Sequence, residues 1–81
     1  MKRLGKAVHL SRNRKLILRL EPGMDAPMLG EIILNSDLNR IGVVEDVFGP
    51  VRSPYIAVKL KAGDPSTYIG KPLYAMKSKK P

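Results

Sequence analysis

Apolar and polar residues alternate with a period of two along most of this chain. Residues 15–20 show it best: Leu16, Leu18 and Leu20 point one way, Lys15, Ile17 and Arg19 the other. Residues 2–10 read as a preceding strand, with Leu4, Val8 and Leu10 on one face and Lys6 the odd member. Between them Ser11-Arg12-Asn13-Arg14 is turn-like, with Asn13 suited to a positive φ, so the two segments predict a hairpin. Glu21-Pro22-Gly23 has Pro then Gly at the centre of a type II turn. Residues 28–34 predict a third strand, bent at Gly30, and Asn35-Ser36-Asp37 a polar break. Residues 38–40 lead into a central strand, in which Gly42 is a second bend. After another turn at residues 62–66, residues 68–76 read as a last strand. Gly70 and Pro72 lie within it, so it is expected to be bent and partly an edge.

The stretch from Ile41 to Lys59 organises the rest. Residues 43–47 are rich in β-branched side chains, which suit a pleated, half-buried surface. Gly49-Pro50 stops the strand, because Pro has no N–H for the ladder and fixes φ near −65°. Pro50 and Pro54 push Gly49 and Ser53 towards extended conformations. Ile56, Val58 and Leu60 then alternate with Ala57, Lys59 and Lys61. The connection is a stiff loop carrying Phe48, Val51 and Tyr55, and large apolar side chains on a stiff loop suggest contact with another macromolecule. The residues expected to make it are Ile41, Gly42, Val43, Phe48, Gly49, Pro50, Val51, Pro54 and Tyr55. Turn geometry is the structural alternative for Gly42, Gly49 and Pro50, and a core position is the alternative for Phe48.

Six short strands are predicted, and no segment has a sustained 3.6-residue period with a helix cap. Closure into a barrel removes sheet edges, and glycine kinks supply its corners. The expected fold is all-β: a small, six-stranded, mostly antiparallel closed barrel forming one domain over residues 1–76, with a basic tail at 77–81. The 81 residues allow one small domain. At roughly 0.05–0.15 kcal/mol per residue its stability is about 4–12 kcal/mol, which leaves little room for a deep cleft.

Fifteen Lys and Arg against seven acids give a net charge of +8, which points to a nucleic-acid or ribonucleoprotein setting. All seven acids lie between Glu21 and Asp64, and both ends are purely basic. There is no Cys, which excludes disulfides and Cys-based zinc sites. No apolar run approaches the roughly 20 residues that span a bilayer, so no membrane partner is expected and the cytoplasm is the expected location. His9 stands alone and reads as a strand-surface residue rather than a metal ligand. Glu45 and Asp46 are the only adjacent acids; neighbours on a strand face opposite ways, so they are not expected to converge on one bond. Asp46 is expected to brace the following turn. No Gly-rich phosphate loop is present. Neither catalysis nor a cofactor is expected. The aromatics Phe48, Tyr55, Tyr68 and Tyr74 are scattered over two segments, a poor pattern for a base-stacking platform.

Val44-Glu45-Asp46-Val47-Phe48-Gly49-Pro50-Val51, followed by Pro54-Tyr55 and Ala57-Val58-Lys59, resembles the Gar family. This is the small barrel subunit of box H/ACA ribonucleoproteins, which make pseudouridine under guidance from a bound RNA. Residues 2–8 and 68–74 resemble its archaeal members, and the likeness is weakest at residues 21–39. Val43 stands where many members carry Lys, and the Gly/Arg-rich tails of eukaryotic members are missing. The resemblance implies a barrel of the translation-factor-like or reductase-like type. It also implies a non-catalytic subunit that binds the dyskerin-type synthase, sits away from the guide RNA, and promotes substrate loading and product release. Guide RNA would then be an indirect partner. The isolated subunit is expected to be able to self-associate through its exposed apolar loop. The other reading of the charge is a stand-alone basic RNA-binding barrel of translation-factor type.

Overall fold

The alternation at the second strand builds the element it foreshadows. The computed structural model describes residues 2–61 and 63–76. Its strands are β1 (Lys2–Leu10), β2 (Leu16–Leu20), β3 (Ile32–Leu34), β4 (Arg40–Phe48), β5 (Tyr55–Leu60) and β6 (Pro72–Ala75). All ladders are antiparallel, and the order β1-β2-β5-β4-β3-β6 closes on itself. The expected six-stranded closed barrel is the fold of the described chain. The tail expected at residues 77–81 lies outside the described residues. No helix among the described residues is long and apolar enough to cross a membrane.

The interior is aliphatic. Leu4, Leu16, Leu18, Ile33, Ile56 and Leu73 are fully buried, and no polar side chain among the described residues is buried with them. Each such side chain contributes about 1.5–3 kcal/mol relative to exposure. On β2 the inward set is the expected Leu16, Leu18 and Leu20.

The two nine-residue strands depart from the simple period. In β1 the pairing shifts between Arg3 and Gly5 on the β6 side and between Ala7 and His9 on the β2 side. In β4 it shifts opposite Ile33–Leu34 of β3, and again between Val44 and Asp46 against β5. A bulge inserts one residue and moves the following side chains to the other face. Core-contacting residues therefore fall at every third position: Leu4, Ala7 and Leu10 in β1, Ile41, Val44 and Val47 in β4. Val8, expected inside, is exposed. Glu45 and Asp46, expected on opposite faces, are both exposed.

Three other expectations are corrected. The third strand is only Ile32–Leu34, because Gly30 takes φ +86° in a turn closed by Glu31 N–H donating to the Met28 carbonyl. That turn leaves Met28 and Leu29 in solvent. The last strand is shorter than expected: Tyr68 ends a 3-10 turn that starts at Pro65, and β6 begins only at Pro72, where a missing N–H costs least. Being paired to both β1 and β3, β6 is no edge. The two short hairpin turns share one geometry, a tight turn followed by a residue at positive φ. That residue is Arg14 (62°) rather than Asn13 in the first, and Leu38 (67°) in the second.

Candidate functional site

The β4–β5 connection projects from the longest ladder of the barrel. Phe48 and Tyr55 are direct cross-strand partners at its base. Their rings stack with centroids 5.8 Å apart and planes 27° from parallel. Such a pair adds about 0.5–1.5 kcal/mol beyond its buried area. Gly49 does not extend as expected but takes φ +96°, and a Cβ there would lie 2.9 Å from Cδ2 of Tyr55. The chain needs glycine here for both reasons. Ser53 N–H donates to the Pro50 carbonyl (3.2 Å), closing a turn over Val51 and Arg52. Leu20 N–H donates to the Pro54 carbonyl (3.2 Å), which ties the loop's return to β2. The result is a braced knuckle with Val51 at its tip, 96% exposed.

The expected contact residues divide. Phe48, Gly49, Pro50 and Val51 are exposed, and Pro54 and Tyr55 are half-buried beside them. Phe48 is therefore not a core residue. Val43 is half-buried further along the wall, opposite Ile32 and Lys59. Ile41 and Gly42 leave the expected surface. Ile41 is 5% exposed and belongs to the core. Gly42 is buried where β4 and β5 approach so closely that a Cβ would enter the Lys59 carbonyl oxygen.

Two residues not foreseen there lie buried beneath this outer face. Ile17 and Ala57 are cross-strand partners and lie on the outer side of the wall, in the row next to Arg19 and Tyr55. Both are nearly buried yet stand outside the core cluster. They floor an open groove of about 350 Å³ bordered by Phe48, Asp46 and the Lys15–Glu45 ion pair (2.8 Å). The signal in the sequence was Ile17, an isoleucine on a face otherwise held by Lys15 and Arg19.

The charged groups have settled local roles. The Asp46 carboxylate accepts from Val47 N–H (2.8 Å), bracing the end of β4. Asp64 caps the 3-10 turn by accepting from Ser66 N–H (3.0 Å) and Ser66 Oγ–H (2.8 Å). The backbone bond first, then the hydroxyl, hold its carboxyl below the ordinary 3.8, and the charge of Arg14 adds to this against a small desolvation cost. His9 is exposed on β1. No group of three or more His, Asp or Glu among the described residues could hold a metal ion. On the outer face of β1 and β2, Lys6 and Arg19 are direct cross-strand partners.

The family model described as the Gar1/Naf1 RNA binding region matches residues 1–80. The chain belongs to this family. An uncharacterized protein of Methanothermobacter thermautotrophicus is 38% identical over 78 residues, which cover 91% of this chain and 82% of that protein. Membership of the Gar1/Naf1 family places the chain among RNA-binding subunits of the H/ACA type, with RNA and protein as its partner classes. As a Gar1/Naf1 barrel, it carries two different exposed surfaces, one apolar at Phe48 and Val51 and one basic at Lys6 and Arg19.

Proposed function

We propose that this chain is a non-catalytic subunit of the H/ACA ribonucleoprotein, and that its knuckle grips the dyskerin-type pseudouridine synthase subunit. Through that contact it promotes loading of substrate RNA and release of product in RNA-guided pseudouridylation of rRNA, in the cytoplasm. The observation that carries the reading is the knuckle: a valine almost wholly in solvent, held on a stacked aromatic pair. A lone exposed valine offers nothing to the barrel's stability, whereas interfaces concentrate their energy in a few apolar and aromatic anchors. A non-catalytic role draws on the acids: Glu45 is neutralised by Lys15, and Asp46 is committed to its own strand. In the isolated subunit the same knuckle is the surface through which two copies would pair.

Val51→Glu and Pro50→Asp test the reading by retention on purified synthase. Each is expected to weaken retention at least tenfold, about 1.4 kcal/mol, while the barrel melts as before. Unchanged retention of both variants would remove the knuckle from the interface. Sedimentation of the Val51→Glu protein is expected to show a monomer at concentrations where the parent self-associates.

The second reading, a stand-alone RNA-binding barrel, draws on the net charge of +8. Tight, saturable binding of guide RNA at about 0.15 M salt without the synthase would favour it.

A further inference from the structure

We propose that the outer face of β1 and β2 binds the phosphate backbone of a single RNA strand through Lys6 and Arg19. These residues face each other directly across the two strands. Like charges directly opposite one another destabilise a sheet, so the pair is a cost that folding alone does not explain. Neither forms an ion pair among the described residues. The carboxylate of this face, Glu21, is already held by Arg3 at 2.9 Å. Lys6 and Arg19 instead line an open groove of about 330 Å³ with Val8, Pro22, Ser53 and Glu21. A polyanion laid in that groove neutralises both cations together.

The groove is shallow and open, which suits a backbone rather than a base held edge-on. The row continues from Lys6 and Arg19 through Tyr55 to Phe48 on four adjacent strands. At about 4.8 Å per strand it is about 14 Å long. The family's RNA binding selects a nucleic acid over an acidic protein face as the occupant. The inference rests on the docking reading in one respect: it leaves the Phe48–Tyr55 stack to the protein partner. The strand would then cross the basic half of the row, at the edge of the docked synthase.

The test uses the full chain and a labelled single-stranded RNA of mixed sequence, titrated at several salt concentrations from about 50 to 200 mM. Lys6→Ala/Arg19→Ala is expected to lose about tenfold in affinity at the lowest salt. Its slope of log affinity against log salt should fall by about 0.7 for each cation removed. The melting temperature should not fall, since a repulsion has been relieved. Retention on the synthase should be unchanged, while Val51→Glu should show the opposite pattern, with RNA affinity intact and retention lost. Equal affinity and slope in parent and double variant would overturn the proposal, leaving the knuckle untouched. Loss of synthase retention in the double variant, with RNA binding unaltered, would also overturn it, and would assign the row to an acidic protein surface.

Discussion

Gly42→Ala decides whether this glycine is part of the docking surface or a corner of the barrel. The perturbation is one methyl group at a backbone conformation that alanine adopts freely. Its Cβ would enter the Lys59 carbonyl oxygen and lie 3.0 Å from both the Lys59 carbonyl carbon and the Leu60 Cα. These atoms are backbone, so no side chain can rotate aside. To bring the Lys59 oxygen out to ordinary contact at 3.4 Å, β5 must retreat from β4 on the order of 1 Å. The Lys61 N–H bond to the Ile41 carbonyl, now 2.9 Å, sits beside this point and would be stretched out of range. Overpacking costs about 1–3 kcal/mol and each lost ladder bond about 0.5–1.5, so the substitution should cost about 2–5 kcal/mol. For a domain of this size that lowers the melting temperature by at least about 10 °C. Urea and thermal unfolding followed by circular dichroism read the effect, with Gly5→Ala as a replicate at the other close approach, against the Arg19 carbonyl. A Gly42→Ala protein melting within about 2 °C of the parent, yet no longer retained by the synthase, would refute the corner and return Gly42 to the interface.

Two further perturbations report on local structure. Leu38 is 53% exposed and sits at φ +67°, a region that costs leucine about 1–2 kcal/mol and asparagine less. Leu38→Asn should therefore stabilise the barrel by about 0.5–1 kcal/mol in urea unfolding, and a loss of stability would mean that the leucine side chain is holding something in place. Asp64 contributes through a carboxyl whose folded pKa is depressed, so its contribution is complete above the ordinary 3.8 and is lost as pH falls through the lower folded value. The Ser66 amide resonance should titrate with a midpoint below 3.8 and should not titrate in Asp64→Asn; a midpoint at or above 3.8 would contradict the cap.

The parts of the fold legible in the sequence were those governed by local chemistry. The leucines of β2 alternate because that strand carries no bulge, and Glu21-Pro22-Gly23 turns because Pro and Gly fix its angles. Pro50 and Val51 were readable as surface because Gly49-Pro50 ends the ladder there, whereas Phe48, the last residue of the strand, fitted a surface or a core position equally well in sequence. What was not legible depends on the neighbouring strand. A bulge has no composition of its own, so nothing in residues 2–10 says that Val8 turns outward or that Leu4, Ala7 and Leu10 share the core. Gly42 fits a bend and a contact equally well until the Lys59 carbonyl is known to lie against it. Ile17 looked like an outward residue, and it is one; its burial, beside Ala57 on a strand forty positions later, depends on neighbours the local sequence does not contain.

Closure of the sheet also narrows how this barrel can be recognised. Every strand among the described residues has a neighbour on both sides, so none offers a partner a whole free edge for an added strand. Recognition must come from side chains standing off the wall or from a connection that leaves it. The barrel closes most thinly between β3 and β6, where only Ile33↔Ala75 and Leu34↔Tyr74 pair. The knuckle does not grow from that seam. It rises from the β4–β5 ladder, whose six residue pairs run from Gly42↔Leu60 to Phe48↔Tyr55. A loop rooted there, stacked at its base and tied back to Leu20, has little freedom left to lose on binding. Preorganisation of that kind raises affinity by cutting the ordering cost rather than by adding contacts. In the docking proposed above, that is how so small an apolar tip, essentially Val51 above one aromatic pair, would suffice as an anchor.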